Sequence, residues 1–147
     1  MNLEQLEEDL EYDEGVKYEI YLDHLGLPTF GIGHLVREED PEYGWDVGTA
    51  VSEERVTEAF QQDIGITLED CERIYPNFYD LNEEVQLIVA NMCFNLGYPR
   101  LSGFKNMKAA VDAKDWNRAA DEMLDSKWAN QVPNRAERLV ARMRALA

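Results

Sequence analysis

Residues 85–96 leave this chain little choice of architecture. Val85, Leu87, Ile88, Val89, Met92, Cys93, Phe94 and Leu96 make the segment apolar nearly all the way round. A helix without a polar face is stable only where other elements surround it, so the segment reads as the buried centre of a helical bundle. Gly97 supplies its stop. Residues 104–111, 116–124 and 136–146 read as further helices of the same bundle. Upstream, Val56, Phe60, Ile64, Leu68 and Cys71 form one stripe along a long helix at about 52–75, which Pro76 ends.

The beginning of the chain has another grammar. Leu3, Leu6 and Leu10 fall at helical spacing among acids, and Gly15 stops that opening helix. Between residues 17 and 35, Tyr18, Ile20, Tyr21, Thr29, Phe30 and Ile32 are strand formers, punctuated by Gly26, Pro28, Gly31 and Gly33. This predicts a short antiparallel hairpin or meander. Pro41, Gly44 and Gly48 mark a loop over 37–51, and Ser52 with Glu53 and Glu54 suits the start of the long helix. The fold class expected is therefore α+β and mostly helical, in one domain over residues 1–147. A small N-terminal antiparallel sheet lobe (about 15–60) is joined by the long helix to a helical lobe (1–14 with 75–147), with a cleft between.

Charge and cysteine usage narrow the function classes. Thirty acidic against fourteen basic residues give a net charge of −16, which argues against binding nucleic acid through its phosphates and against docking on anionic membranes. The charge is uneven. Residues 1–14 hold seven acids and no base, whereas Lys127, Arg135, Arg138, Arg142 and Arg144 face only Glu137 near the other end. These are either two solvated faces or chain ends that pair. Cys71 and Cys93 lack metal-ligand spacing and leave both a single disulfide and two buried thiols open. The first residues lack the basic and apolar regions of a signal peptide, so synthesis in the cytoplasm is expected.

The chemistry points to the junction of the first helix with the sheet. Glu14 ends the helix, Asp23 lies in the sheet region, and Thr29 precedes the glycine-rich Phe30-Gly31-Ile32-Gly33-His34. Two carboxylates beside one hairpin can flank a glycosidic bond as acid and base. With thirty acids such pairs also arise by chance, and on spacing alone the turn reading of Asp23 is favoured, while Thr29 also reads as a plain strand residue. His34 reads as a structural histidine paired to a carboxylate rather than a catalytic one. His24 reads as exposed, and Trp45, Trp116 and Trp128 as packing anchors before sugar platforms.

Asp13-Glu14-Gly15, Tyr21-Leu22-Asp23 and Thr29-Phe30-Gly31-Ile32-Gly33-His34 together resemble the active-site region of the T-even phage lysozymes, glycoside hydrolase family twenty-four. Phe60-Gln61-Gln62-Asp63, Ala90-Asn91-Met92-Cys93-Phe94-Asn95-Leu96-Gly97 and Ser126-Lys127-Trp128-Ala129-Asn130-Gln131-Val132-Pro133-Asn134-Arg135-Ala136 resemble further family blocks, in family order. The resemblance implies that Glu14 protonates the leaving oxygen, Asp23 activates the water and Thr29 helps place it. It implies Leu35, Phe94 and Asn95 as substrate contacts, Arg135 as the arginine that holds the glutamate, and an ion pair of His34 with Asp63. His24 and Leu25 after the aspartate, and Met107 and Glu122 further on, depart from the family's polar choices and bear on specificity more than on chemistry.

The implied function is an endolysin-type muramidase, probing bacterial peptidoglycan strands as partner and acting as a monomer. Its synthesis is expected in a host cytoplasm, its action on the wall after release. No metal and no organic cofactor is implied, because carboxylates and water suffice. The alternatives are a related chitinase or lytic transglycosylase, and a non-catalytic wall-binding paralogue.

Overall fold

The computed structural model describes residues 1–147 and bears out the α+β reading. Helix α1 (Leu3–Glu14) is followed by strands β1 (Lys17–Leu22), β2 (Pro28–Gly31) and β3 (His34–Leu35), and then by α2 (Glu53–Ile74). After a 3-10 turn at Phe78–Asp80 come α3 (Glu83–Leu96), α4 (Tyr98–Leu101), α5 (Lys105–Asp112), α6 (Trp116–Leu124), α7 (Lys127–Gln131) and α8 (Pro133–Arg144). The chain divides into two compact units, one of Met1–Leu6 with Thr67–Ala147 and one of Glu7–Ile66. No helix is long and apolar enough to cross a membrane.

In the helical unit, α3 is buried from Val85 through Cys93, as its composition requires. Asn82 caps it by accepting a 2.8 Å hydrogen bond from the Glu84 amide, and Gly97 ends it at φ 79. Two polar side chains inside the run are used as ties. Gln86 Nε2 donates to the carbonyls of Tyr79 and Leu81 at 3.1 and 2.8 Å, and Asn91 Oδ1 accepts from Arg135 Nε at 2.8 Å. Helix α8 packs on α3, α6 and α7, and α6 on α5. Met92, Met107, Met123, Leu139 and Met143 are all buried at this centre. Arg142 pairs with Glu84 and Arg144 with Asp121, so both arginines have acidic partners within their own unit. Cys71 and Cys93 are buried free thiols.

Two short helices were not legible in the sequence. α4 has four residues and α7 five, too short for apolar periodicity to show. Each owes its existence to its ends: Pro99 opens α4, and the Ser126 hydroxyl accepts from the Ala129 amide to open α7.

In the sheet unit the strand order is β1-β2-β3, antiparallel throughout. β1 carries an irregularity between Lys17 and Tyr21. Its outer edge is not left open, because the Gly48 amide donates to the Ile20 carbonyl, the Ile20 amide to the Thr49 carbonyl and the Val51 amide to the Tyr18 carbonyl along it. The two sheet faces separate by chemistry. Tyr21, Thr29 and Leu35 lie side by side across the three strands, while Phe30 stands opposite His34 on the other face, both buried. Val56, Phe60 and Ile64 of α2 are buried on the stripe read from the sequence, and the Ser52 hydroxyl caps that helix by accepting from the Arg55 amide at 3.1 Å.

The helical centre sets a stability prediction. Ile88 is fully buried, so Ile88→Ala should cost about 2–5 kcal/mol through lost burial and the cavity it leaves. Leu124, 48% exposed, should cost within about 0.5 kcal/mol as Leu124→Ala. Urea unfolding of both variants measures the contrast, and equal costs would place α3 outside the core.

Candidate active site

The sheet unit gathers six of the residues singled out from the sequence: Glu14, Asp23, Thr29, His34, Leu35 and Asp63. Phe94, Asn95 and Arg135 belong to the helical unit.

Asp23 and Thr29 are held by one five-residue tip between β1 and β2. Asp23 Oδ1 accepts from the amides of Leu25 and Leu27, at 2.8 and 2.9 Å. The Leu27 carbonyl accepts in return from the Asp23 amide at 3.0 Å and from the Thr29 hydroxyl at 2.9 Å. Gly26, at φ 78, lets the chain turn back, and its amide donates to the Asp23 carbonyl. The turn reading of Asp23 holds, and the turn uses one carboxylate oxygen and leaves Oδ2 outside it. Thr29 has spent its only hydroxyl proton on Leu27, so toward a further group it acts as an acceptor.

Glu14 is the last residue of α1, half-buried, before Gly15 turns the chain at φ 70. Its carboxyl lies against the backbone of Gly33, in the connection between β2 and β3. Tyr21, in register with Thr29, feels both carboxylates: burial raises its phenol pKa first, and the charges of Glu14 and Asp23 raise it further. The Lys17 ammonium stands over its ring at 4.3 Å. Sequence reasoning passed over Tyr21, although its place two residues before Asp23 on a strand was a usable signal. Leu35, beside Thr29 on β3, is 46% exposed.

The opposite face of β3 is anchored by charge. His34 is buried between two carboxylates, with Nδ1 2.7 Å from Asp63 and Nε2 2.8 Å from Asp40. Only the doubly protonated ring donates to both. Arg37 Nη2 donates to the second oxygen of Asp63 at 2.7 Å. Arg55 grips the buried Glu42 through Nε and Nη2, at 3.0 Å each, and also reaches Glu58 and Asp40. The His34–Asp63 pair was legible from the family resemblance. Asp40, Arg37, Glu42 and Arg55 were not, since nothing distinguishes them among the scattered charges of the 37–58 region. His24 is exposed, as read.

In the helical unit, Asn95 Oδ1 accepts from the Trp128 indole at 2.7 Å, so Trp128 is a packing anchor with its polar atom satisfied. Phe94 is half-buried near the end of α3. Arg135 is nearly buried, and its guanidinium bonds to the Asn91 side chain at 2.8 Å and, more loosely, its carbonyl at 3.4 Å.

Residues 11–145 match the Phage lysozyme family model. The chain is similar to "Probable T4-type lysozyme 2" of Dictyostelium discoideum, 28% identical over 155 residues, which covers 92% of this chain and 91% of that protein. It is 28% identical to "Pre-baseplate central spike protein Gp5" of Enterobacteria phage T4, over 90% of this chain but 26% of that protein. It is 31% identical to "Peptidoglycan hydrolase gp36" of Pseudomonas phage phiKMV, over 88% of this chain and 14% of that protein.

The charged anchor makes stability depend on pH. Burial pulls the His34 pKa down, but the hydrogen bonds and charges of Asp63 and Asp40 outweigh it and raise it above the ordinary 6.5. That contribution is fully present below 6.5 and is lost as pH rises through the higher folded value. Burial pushes Asp40 up, yet the Arg37 amide, His34 and Arg55 hold it below the ordinary 3.8. Its contribution is present above 3.8 and is lost as pH falls through the lower folded value. The cluster therefore stabilises most between 3.8 and 6.5. Thermal melts of wild type should fall from pH 6 to pH 9 more steeply than those of His34→Gln; parallel curves would show that the ring is not charged in the fold.

Proposed function

The chain belongs to the phage lysozyme family and is a peptidoglycan-directed glycoside hydrolase; on that premise we propose that it cuts the β-1,4 bond between N-acetylmuramic acid and N-acetylglucosamine with inversion, in the service of host cell lysis. The observation that carries the reading is the division of labour at the hairpin tip. Asp23 has one oxygen committed to two amides, and Thr29 has its proton committed to the Leu27 carbonyl, in the same unit as Glu14. A water donating one hydrogen to Asp23 Oδ2 and the other to Thr29 Oγ1 has its lone pair left for the anomeric carbon. Neither partner can swing, because each is tied to the tip. Such fixed acceptors lower the cost of ordering the nucleophile at the moment of reaction.

The steps balance without a cofactor. Glu14 gives its proton to the glycosidic oxygen as the bond to the anomeric carbon breaks, so the departing sugar leaves as an alcohol rather than an alkoxide. The water attacks from the opposite face and passes a proton to Asp23. One proton then returns from Asp23 through solvent to Glu14. An inverting arrangement needs about 6.5–9.5 Å between the carboxyl groups to leave room for the water. Leu35, Phe94 and Asn95 are proposed to contact the sugars and Arg135 to support the acid. The enzyme acts as a monomer, made in the host and reaching the wall on release.

Glu14→Gln removes the proton donor while keeping the shape, so clearing of permeabilised cells should drop by at least about 10²–10⁴-fold, with the melting temperature unchanged or raised. Asp23→Asn should be similarly inactive. Proton NMR of wild-type turnover should show the inverted anomer first. Full lysis by purified Glu14→Gln protein would overturn the assignment of the acid, and a retained anomer would overturn the role of Asp23.

A further inference from the structure

The connection from β2 to β3 contains two glycines in left-handed conformation, Gly31 at φ 64 and Gly33 at φ 62, on either side of Ile32. Both satisfy a backbone that side chains rarely adopt. Their surroundings differ. A β-carbon on Gly31 would meet Val56, at 3.1 Å from Cγ1 and 3.3 Å from Cγ2. The three atoms nearest a β-carbon on Gly33 would all belong to the acid: Glu14 Oε1 at 2.6 Å, Cδ at 2.9 Å and Cγ at 3.1 Å. Real β-carbons do not approach a neighbour to 2.6 Å, so the Glu14 carboxyl occupies the volume that a side chain at residue 33 would need.

We propose that Gly33 is a positioning residue for the acid: the missing side chain at this turn is the seat of the Glu14 carboxyl. The inference rests on Glu14 being the acid and adds what sets its place. The seat is rigid on the strand side. Residue 34, next in the chain, is the ring clamped between Asp40 and Asp63, and residue 30 opposite it is fully buried. The carboxyl, by contrast, is the far end of a flexible side chain at a helix terminus. If a methyl group is added at Gly33, the strand connection holds and the carboxyl moves. The protein then stays folded with its acid displaced by roughly an ångström, a misplacement that can cost about 10²-fold in rate.

The experiment compares Gly33→Ala with Gly31→Ala, which has the same left-handed penalty at the same turn but meets Val56 first rather than Glu14. The readouts are urea stability and the kcat and KM for soluble, uncross-linked glycan strands. The expected result is that both variants lose stability, while kcat falls about 10²-fold in Gly33→Ala alone, with KM little changed. Shortening the acid should relieve the crowding, so Glu14→Asp should cost less in the Gly33→Ala background than in wild type. Gly33→Asn, with a residue that tolerates positive φ, supplies the same contact if the alanine variant does not fold. Equal kcat losses at positions 31 and 33, or additive effects of Gly33→Ala and Glu14→Asp, would overturn the proposal and leave Gly33 as a turn residue. Failure of the acid assignment reads differently, as full activity of Glu14→Gln with both glycines intact.

Discussion

The buried imidazolium of His34 is the interaction on which the sheet unit depends. A three-stranded sheet whose last strand has two residues cannot hold itself in register by backbone hydrogen bonds alone. Asp63 comes from a helix and Asp40 from a loop, so one ring ties strand, helix and loop together. Around it stand four carboxylates (Asp40, Glu42, Glu58, Asp63) and two guanidiniums (Arg37, Arg55). The protonated ring brings that set within one charge of neutral, which makes the ring's own burial tolerable. Thr29 and Leu35 are neighbours across the strand pair that this anchor holds.

What could be read in advance follows from the length scale of each signal. Helix α3 was legible because eight large apolar side chains fall within twelve residues, and α2 because its stripe recurs over about four turns. The strands were legible as a region, through glycine and proline punctuation, but not in their pairing. The irregularity in β1 and the edge pairing with residues 48–51 are set by tertiary contacts that no local pattern carries. Helices α4 and α7 were missed because their stability comes from end effects rather than periodicity.

At the candidate site, the residues singled out for chemistry were legible and the residues packed around them were less so. Glu14, Asp23 and Thr29 stood out through a family resemblance, and the structure places them in one unit. Asp40 and Arg55 did not, since an ion pair between a loop and a helix leaves no spacing rule behind. Gly33 was visible as a glycine, yet its neighbour was not: the contact with Glu14 joins residues nineteen positions apart, and sequence order holds no trace of it. The two thiols are a similar case, since only packing shows that Cys71 and Cys93 are both buried and free yet within hydrogen-bonding reach of each other.

The tip that orients Asp23 closes on itself. Every hydrogen bond that fixes it runs between residues 23 and 29, and each uses a backbone atom of the tip. The side chains of His24 and Leu25 point into solvent and take no part. The Asp23 carboxylate is thus mechanically insulated from the side chains beside it in the chain. Substitution at these two positions alters the exposed surface of the hairpin tip while the Asp23 carboxylate stays where it is.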